Sequence, residues 1–168
     1  MARKPSVYLA SPLGFATSTR EFMSEIVRAL GDAVHVNNPW DDHRFDDDFA
    51  KIAKLESYRE RFNRLHAINH QLGQGNEERI RACNALIAVL DGVDVDSGTA
   101  AEIGFAYALD MRVYGIRTDF RLAGDNLGSI VNLQVQYFIE QSGGRVVETV
   151  PDLLECAMEF AQEHAKAS

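Results

Sequence analysis

The six residues at 85–90, ALIAVL, are apolar without a break. A strand with one wet face alternates in polarity, so an unbroken apolar run of this length fits a strand covered on both sides. Strands of that kind belong to parallel sheets flanked by helices. The rest of the chain agrees with such layering. SVYLA at 6–10 is a second short apolar run, ended by the Ser-Pro-Leu-Gly turn at 11–14. AVHV at 33–36, RVYGI at 112–116 and RVV at 145–147 supply three more. Between the first two, Phe22, Ile26, Ala29 and Leu30 recur at helical spacing, after a Ser18-to-Glu21 capping box and before Gly31. Residues 100–109 read as a helix rich in small residues. Pro151 opens a last helix whose inner stripe is expected to be Leu154, Met158 and Ala161. Five short strands with intervening helices predict a single α/β domain over residues 1–168. Its core is a doubly wound, five-stranded parallel sheet with helices on both faces, in the order 2-1-3-4-5.

The middle of the chain is less regular. The acidic stretch 41–48, DDHRFDDD, reads as a loop, followed by a helix from about residue 49 to 72. Gly73 and Gly75 are expected to break that helix, with Asn76 capping a shorter one over 77–83. Residues 130–139 fit either a helix or a strand.

Charge and composition narrow the function classes. Lys plus Arg number 17 against 25 Asp plus Glu, a formal net charge of −8, and no basic stripe is present, which argues against nucleic-acid polymers. No apolar run approaches the ~18 residues that cross a bilayer. The start MARKPSVYLAS has two positive charges and then only a β-like run, so no secretory signal is expected. The two cysteines, Cys83 and Cys156, lie far apart and fit no metal spacing; a reducing cytoplasmic location is the simplest reading.

In wound parallel sheets, ligands sit beyond the carboxyl ends of the strands. That rule nominates residues 11–15, 91–99 and 117–128 as the site. The stretch 91–104, DGVDVDSGTAAEIG, concentrates the chemistry. Glu102 falls in the first turn of the next helix, where Thr99 and Glu102 fit a capping box. The functional alternative has a Glu102 carboxylate, kept ionised by the positive helix end, aimed into the crevice. Asp96 either caps the turn or is the second carboxylate of a pair flanking a glycosidic bond. Tyr8, inside the first strand, is either a core aromatic or a hydroxyl partnered by a carboxylate at a neighbouring strand end. Asp46, Asp47 and Asp48 lack the spaced donors and glycine of a calcium loop, so a solvated surface is expected. His66 and His70 lie four apart without a His-Glu-x-x-His motif, and His35, His43 and His164 complete no ligand spacing, so no metal site is expected. Gly73-Gln-Gly75 lacks the lysine and preceding strand of a phosphate loop, and no serine nucleophile elbow exists.

Taken together, YLASPLGF at 8–15, Gly75-Asn76-Glu77 with Ile80, the block 86–104 and Val131-Asn132-Leu133 resemble the nucleoside 2-deoxyribosyltransferases, in the right order over about residues 6–138. The resemblance implies a flavodoxin-like α/β fold. It implies transfer of a 2-deoxyribosyl group between purine or pyrimidine bases with retention, in nucleotide salvage and without a cofactor. It also implies small-molecule nucleosides and nucleobases as partners, and a homo-oligomer with shared active sites. By the same resemblance Glu102 is the nucleophile of a covalent glycosyl-enzyme, Tyr8 positions it, and Asp96 helps hold the sugar hydroxyls. Asn132 is lent to a neighbouring subunit for the sugar 5′-hydroxyl, and Phe15 lies near the base. The family's base-contacting aspartate is replaced by Asn76, whose amide donates and accepts hydrogen bonds but supplies no proton. Asp119 and Asp125, in the polar loop 117–128, are candidate base contacts in its place. Two rivals remain open. One is an N-glycosidase delivering water to the same intermediate, with Ser11, Ser97 and Thr99 as phosphate ligands if the substrate is a nucleotide; Asn132 favours a free 5′-hydroxyl. The other is a non-catalytic nucleotide-binding module.

Overall fold

The computed structural model describes residues 4–167. It contains the strands β1 (Ser6–Ala10), β2 (His35–Asn37), β3 (Ala85–Val89), β4 (Arg112–Ile116) and β5 (Val146–Val147). All pair in parallel, in the order β2-β1-β3-β4-β5. This is the expected order and the flavodoxin-like winding, whose switch point lies between β1 and β3. Every residue of the central β3 is buried, as its unbroken apolar run requires.

Among the described residues there are six α-helices: α1 (Arg20–Leu30), α2 (Asp46–Ile52), α3 (Tyr58–Ala82), α4 (Ser97–Ala108), α5 (Leu133–Gln141) and α6 (Val150–Ala167). On one face, Met23, Ile26 and Leu30 of α1 and Leu153, Ala157 and Phe160 of α6 pack with Val7, Leu9 and Ile87. On the other, Ile80 of α3, Ile103 and Ala106 of α4 and Ile139 of α5 pack with Tyr8, Leu86 and Ala88. Side chains alternate along a strand, so the same register that buries Val7 and Leu9 under α1 and α6 turns Tyr8 toward α3 and α4.

Several boundaries depart from expectation, each for a local reason. β2 starts at His35 rather than residue 33, because the Ala33 and Val34 amides donate to the Leu30 carbonyl and finish α1. The Ser18–Glu21 capping box does not form: a 3-10 turn (Thr17–Thr19) precedes α1, and the Thr19 hydroxyl donates to the carbonyls of Leu13 and Ala16. Residues 46–48 are not loop. The three aspartates occupy the first turn of α2, where the positive helix end stabilises them.

The expected helix over 49–72 is split in another place. α2 ends at Ile52, Ser57 caps α3 by accepting from the Glu60 amide, and α3 then runs unbroken through Gly73 and Gly75 to Ala82. Pairs one turn apart, Gln74 with Glu78 and Arg81 with Glu77, support that stretch. Gly75 is buried, and a Cβ there would collide with the Arg44 guanidinium, so this glycine makes room for a neighbour instead of ending a helix. Asn76 therefore caps nothing. Of residues 130–139, the stretch 133–139 lies in α5 and 130–132 lead into it. In α6 the inner stripe is Leu153, Cys156, Ala157 and Phe160, one position off the expected set, and Met158 is half exposed.

Of the start MARKPSVYLAS, residues 1–3 lie outside the described residues, and from Ser6 onward it is β1. Among the described residues no helix is long and apolar enough to cross a membrane. Cys83 and Cys156 are buried and unpaired, on opposite faces of the sheet.

Candidate active site

A cavity of about 670 Å³ opens beyond the carboxyl ends of β1 and β3, at the switch point. Glu102, Asp96, Asn76, Phe15, Ser11 and Trp40 are among the residues that line it. Thus Glu102, Asp96, Asn76 and Phe15 are brought together as expected of one site, with Tyr8 directly behind Glu102.

The capping expectation for α4 is corrected. Asp96, not Thr99, is the N-cap: its Oδ2 accepts from the Thr99 amide at 3.0 Å, with the Thr99 hydroxyl at 3.4 Å. Thr99 is buried three residues into the helix, and Glu102 lies in the second turn, past the reach of the helix end. The first-turn account of Glu102's charge therefore fails, and its surroundings explain it instead. Burial pushes the Glu102 carboxyl up from the usual range. The Tyr8 hydroxyl, which donates to Oε1 at 2.6 Å, pulls it back toward the ionised form, and the nearby Asp96 charge raises it again. Tyr8 is wholly buried, and burial together with the Glu102 charge raises its own pKa far enough that it stays a donor. Its single proton is spent on Oε1. The carboxylate is held at one oxygen, with Oε2 left for a ligand. Asp96 is similarly divided: Oδ2 caps the helix, and Oδ1 is left for a ligand.

Part of the wall is aromatic. Trp40, in the 3-10 turn Pro39–Asp41 after β2, donates Nε1–H to the Ser11 carbonyl at 2.8 Å and lies flat over Gly14, where a Cβ would overlap its ring. Phe15 meets it edge-on, ring centroids 4.6 Å apart, and is 76% exposed at the rim. Trp40 was missed in sequence. It is the chain's only tryptophan and stands just past a strand's carboxyl end, which was the available signal.

Behind Asn76 lies a charged cluster that sequence reasoning also missed. Arg79, one turn along α3, donates from Nη1 to Asn76 Oδ1 at 3.4 Å and from Nη2 to Asp42 Oδ2 at 2.6 Å. Arg44 Nε reaches the same Asp42 oxygen at 2.9 Å. These guanidiniums, Arg79 first, hold the Asp42 carboxyl below its usual range.

Asn132, Asp119 and Asp125 lie elsewhere. Asn132 is the N-cap of α5, its Oδ1 accepting from the amides of Gln134 at 3.0 Å and Val135 at 3.4 Å. Asp125 accepts from the Leu133 amide at 2.6 Å. Asp119 pairs with Arg121, which holds its carboxyl well below the carboxylate range. None of the three is among the residues lining the cavity. Asp91 and Arg117 organise their loop: Asp91 accepts from the Thr118 and Asp119 amides, and the buried Arg117 donates to the carbonyls of Leu90, Gly92 and Arg121. Among the described residues no group of three or more His, Cys, Asp or Glu is placed to hold a metal ion. His66 and His70 stand 4.6 Å apart, centroid to centroid, on an exposed face of α3.

A wound parallel sheet with a half-buried, tyrosine-held carboxylate at its switch point, in a cavity with aromatic lining, has the form of a small-molecule enzyme. The family model for nucleoside 2-deoxyribosyltransferases matches residues 7–142, and the chain belongs to that family. No curated protein matches. Among solved structures, a conserved protein from Enterococcus faecalis V583 superposes with a TM-score of 0.68 at 24% identity, covering 95% of this chain and 99% of the other. A 2-deoxyribosyltransferase from Leishmania mexicana gives 0.63 at 24% identity over the same shares. A CMP N-glycosidase from Clostridium botulinum gives 0.52 at 15% identity, covering 89% and 96%. At these identities the likeness is one of fold.

Proposed function

We propose that the protein exchanges nucleobases on 2-deoxyribose through a covalent glycosyl-Glu102 intermediate. The observation that carries the reading is the 2.6 Å Tyr8–Glu102 hydrogen bond at the cavity wall. In the first step Glu102 Oε2 attacks the anomeric carbon. The bond to the base nitrogen breaks, its electron pair stays on the base, and the base takes up a proton. In the second step a nitrogen of the incoming base attacks the same carbon, its proton passes to water, and the bond to the carboxylate breaks to free Glu102. Two inversions give retention. Tyr8 orients the attacking carboxylate and favours its ionised form, and Asp96 Oδ1 accepts from a sugar hydroxyl. Trp40 and Phe15 offer the base an aromatic surface. The volume fits a nucleoside, within the ~300–1,000 Å³ of small-ligand sites.

The charges on the wall favour nucleosides over nucleotides. Of the charged groups lining the cavity, Asp42 is paired with Arg44 and Arg79 and Asp46 with His43, which leaves Asp96 and Glu102 against Arg20, an acidic balance that disfavours a 5′-phosphate. Asp119 is held ionised, and both it and Asp125 lie off this wall, so the leaving base draws its proton from water in the cavity.

Asn132 supports a shared site. It sits beside the exposed Leu127, Ile130, Leu133 and Tyr137, an apolar face suited to a second copy of the chain. In a homo-oligomer built there, Asn132 reaches a neighbour's sugar, and the cavity loses its open side at Phe15, which keeps water from the intermediate. The buried free thiols suit a reducing cytoplasm and a place in nucleotide salvage. Incubating deoxyinosine alone, and with adenine, thymine or cytosine, tests the reading. A new deoxynucleoside appears with a transferase, free deoxyribose alone with a glycosidase, and neither with a binding module. Glu102→Ala must abolish the product.

A further inference from the structure

We infer that Arg79 sets the base preference of the site by fixing which end of the Asn76 amide faces the cavity. The inference rests on the reading that this cavity holds a nucleobase. A guanidinium has donors only, so an amide beside it turns its oxygen inward; the flipped amide would set N–H against N–H. Arg79 Nη1 lies 3.4 Å from Asn76 Oδ1, and the bond of Nη2 to Asp42 at 2.6 Å keeps the guanidinium from turning away. Gly75 gives this cluster its space, since a Cβ there would strike Arg44 and lie 3.6 Å from Arg79 Nη1. The end of Asn76 left for the cavity is then Nδ2, a donor.

A fixed donor sorts bases by their exocyclic groups. The 6-oxo group of hypoxanthine and the 4-oxo groups of uracil and thymine accept, whereas the 6-amino group of adenine and the 4-amino group of cytosine donate. The wall therefore favours oxo bases, and Arg79 is a positioning residue for that choice. An aspartate at position 76 would be held ionised by the same guanidinium. It would then be an acceptor only, with the opposite preference.

The test compares kcat/KM for deoxyinosine against deoxyadenosine and for deoxyuridine against deoxycytidine, using the full-length protein. The wild type should prefer the oxo member of each pair about tenfold, the scale of one net hydrogen bond. Asn76→Asp should invert both ratios. Arg79→Met, which lets the amide turn, should bring both toward one, chiefly through KM, and Arg79→Lys should restore part of the preference. A wild-type ratio near one, or ratios unmoved by Asn76→Asp, would overturn the inference. Should Arg79→Met fail to fold, Asn76→Asp decides alone. Absence of any cleavage by the wild type would instead refute the proposed activity. Calorimetric titration with free hypoxanthine and free adenine then decides the inference separately, equal affinities refuting it.

Discussion

Replacing Tyr8 by phenylalanine removes one oxygen and leaves the ring's packing under α3 and α4 unchanged. That oxygen donates to Glu102 at 2.6 Å from a fully buried position. A hydrogen bond to a charged group contributes about 1.5–3 kcal/mol. In Tyr8→Phe the burial that raises the Glu102 pKa persists, while the interaction that lowers it is gone. The carboxylate then ionises at a higher pH. Since the ionised form attacks, the acidic limb of the pH–rate profile must move to higher pH. Below the limb the loss should be about 10–100-fold, following from the same ~1.5–3 kcal/mol; well above it the remaining deficit reflects orientation alone. Base-exchange rates measured from acid to mildly alkaline pH, with circular dichroism to confirm folding, check this. An acidic limb at the same pH in both proteins would refute the account of Glu102 as a carboxylate tuned by Tyr8.

Three further outcomes are expected. Glu102→Gln should be inactive yet more stable to heat at neutral pH. A carboxyl whose folded pKa is raised favours folding below its unfolded pKa and loses that contribution as pH rises through the folded value, so the variant's advantage should shrink toward zero in acid. Mixing inactive Glu102→Ala with inactive Asn132→Ala should restore part of the activity through hybrid assemblies; no recovery, or an active monomer by light scattering, would exclude a shared site. Gly14→Ala should push the Trp40 ring from its seat, costing about 1–3 kcal/mol in a thermal melt and raising KM for every base alike.

Long-range order was legible because burial writes itself into the pattern: an unbroken apolar 85–90 admits little but a central strand, whereas the order of its neighbours is not written in that pattern. Local ends were less legible, since competing donors decide them. Asp96 and Thr99 both suit a cap, and only the turn after β3 shows that Asp96 takes it. That choice moved Glu102 from first turn to second and changed the physical account of its charge. Gly75 reads as a breaker in one dimension, but its reason is Arg44, thirty-one positions earlier by number. Trp40 and Arg79 gave no motif of their own, because their roles come from the residues they lie against.

The loop after β4 carries Phe120 and Leu122 almost fully in solvent, yet Arg117 ties its backbone to the end of β3 and Asp91 ties its start. These apolar side chains thus stand on a scaffold that folding has already ordered. A surface meeting this face need freeze only side-chain rotors and not a segment of chain, so the entropy lost on contact is small. Cutting the Arg117 ties should free the loop and raise the entropy that any such contact would cost.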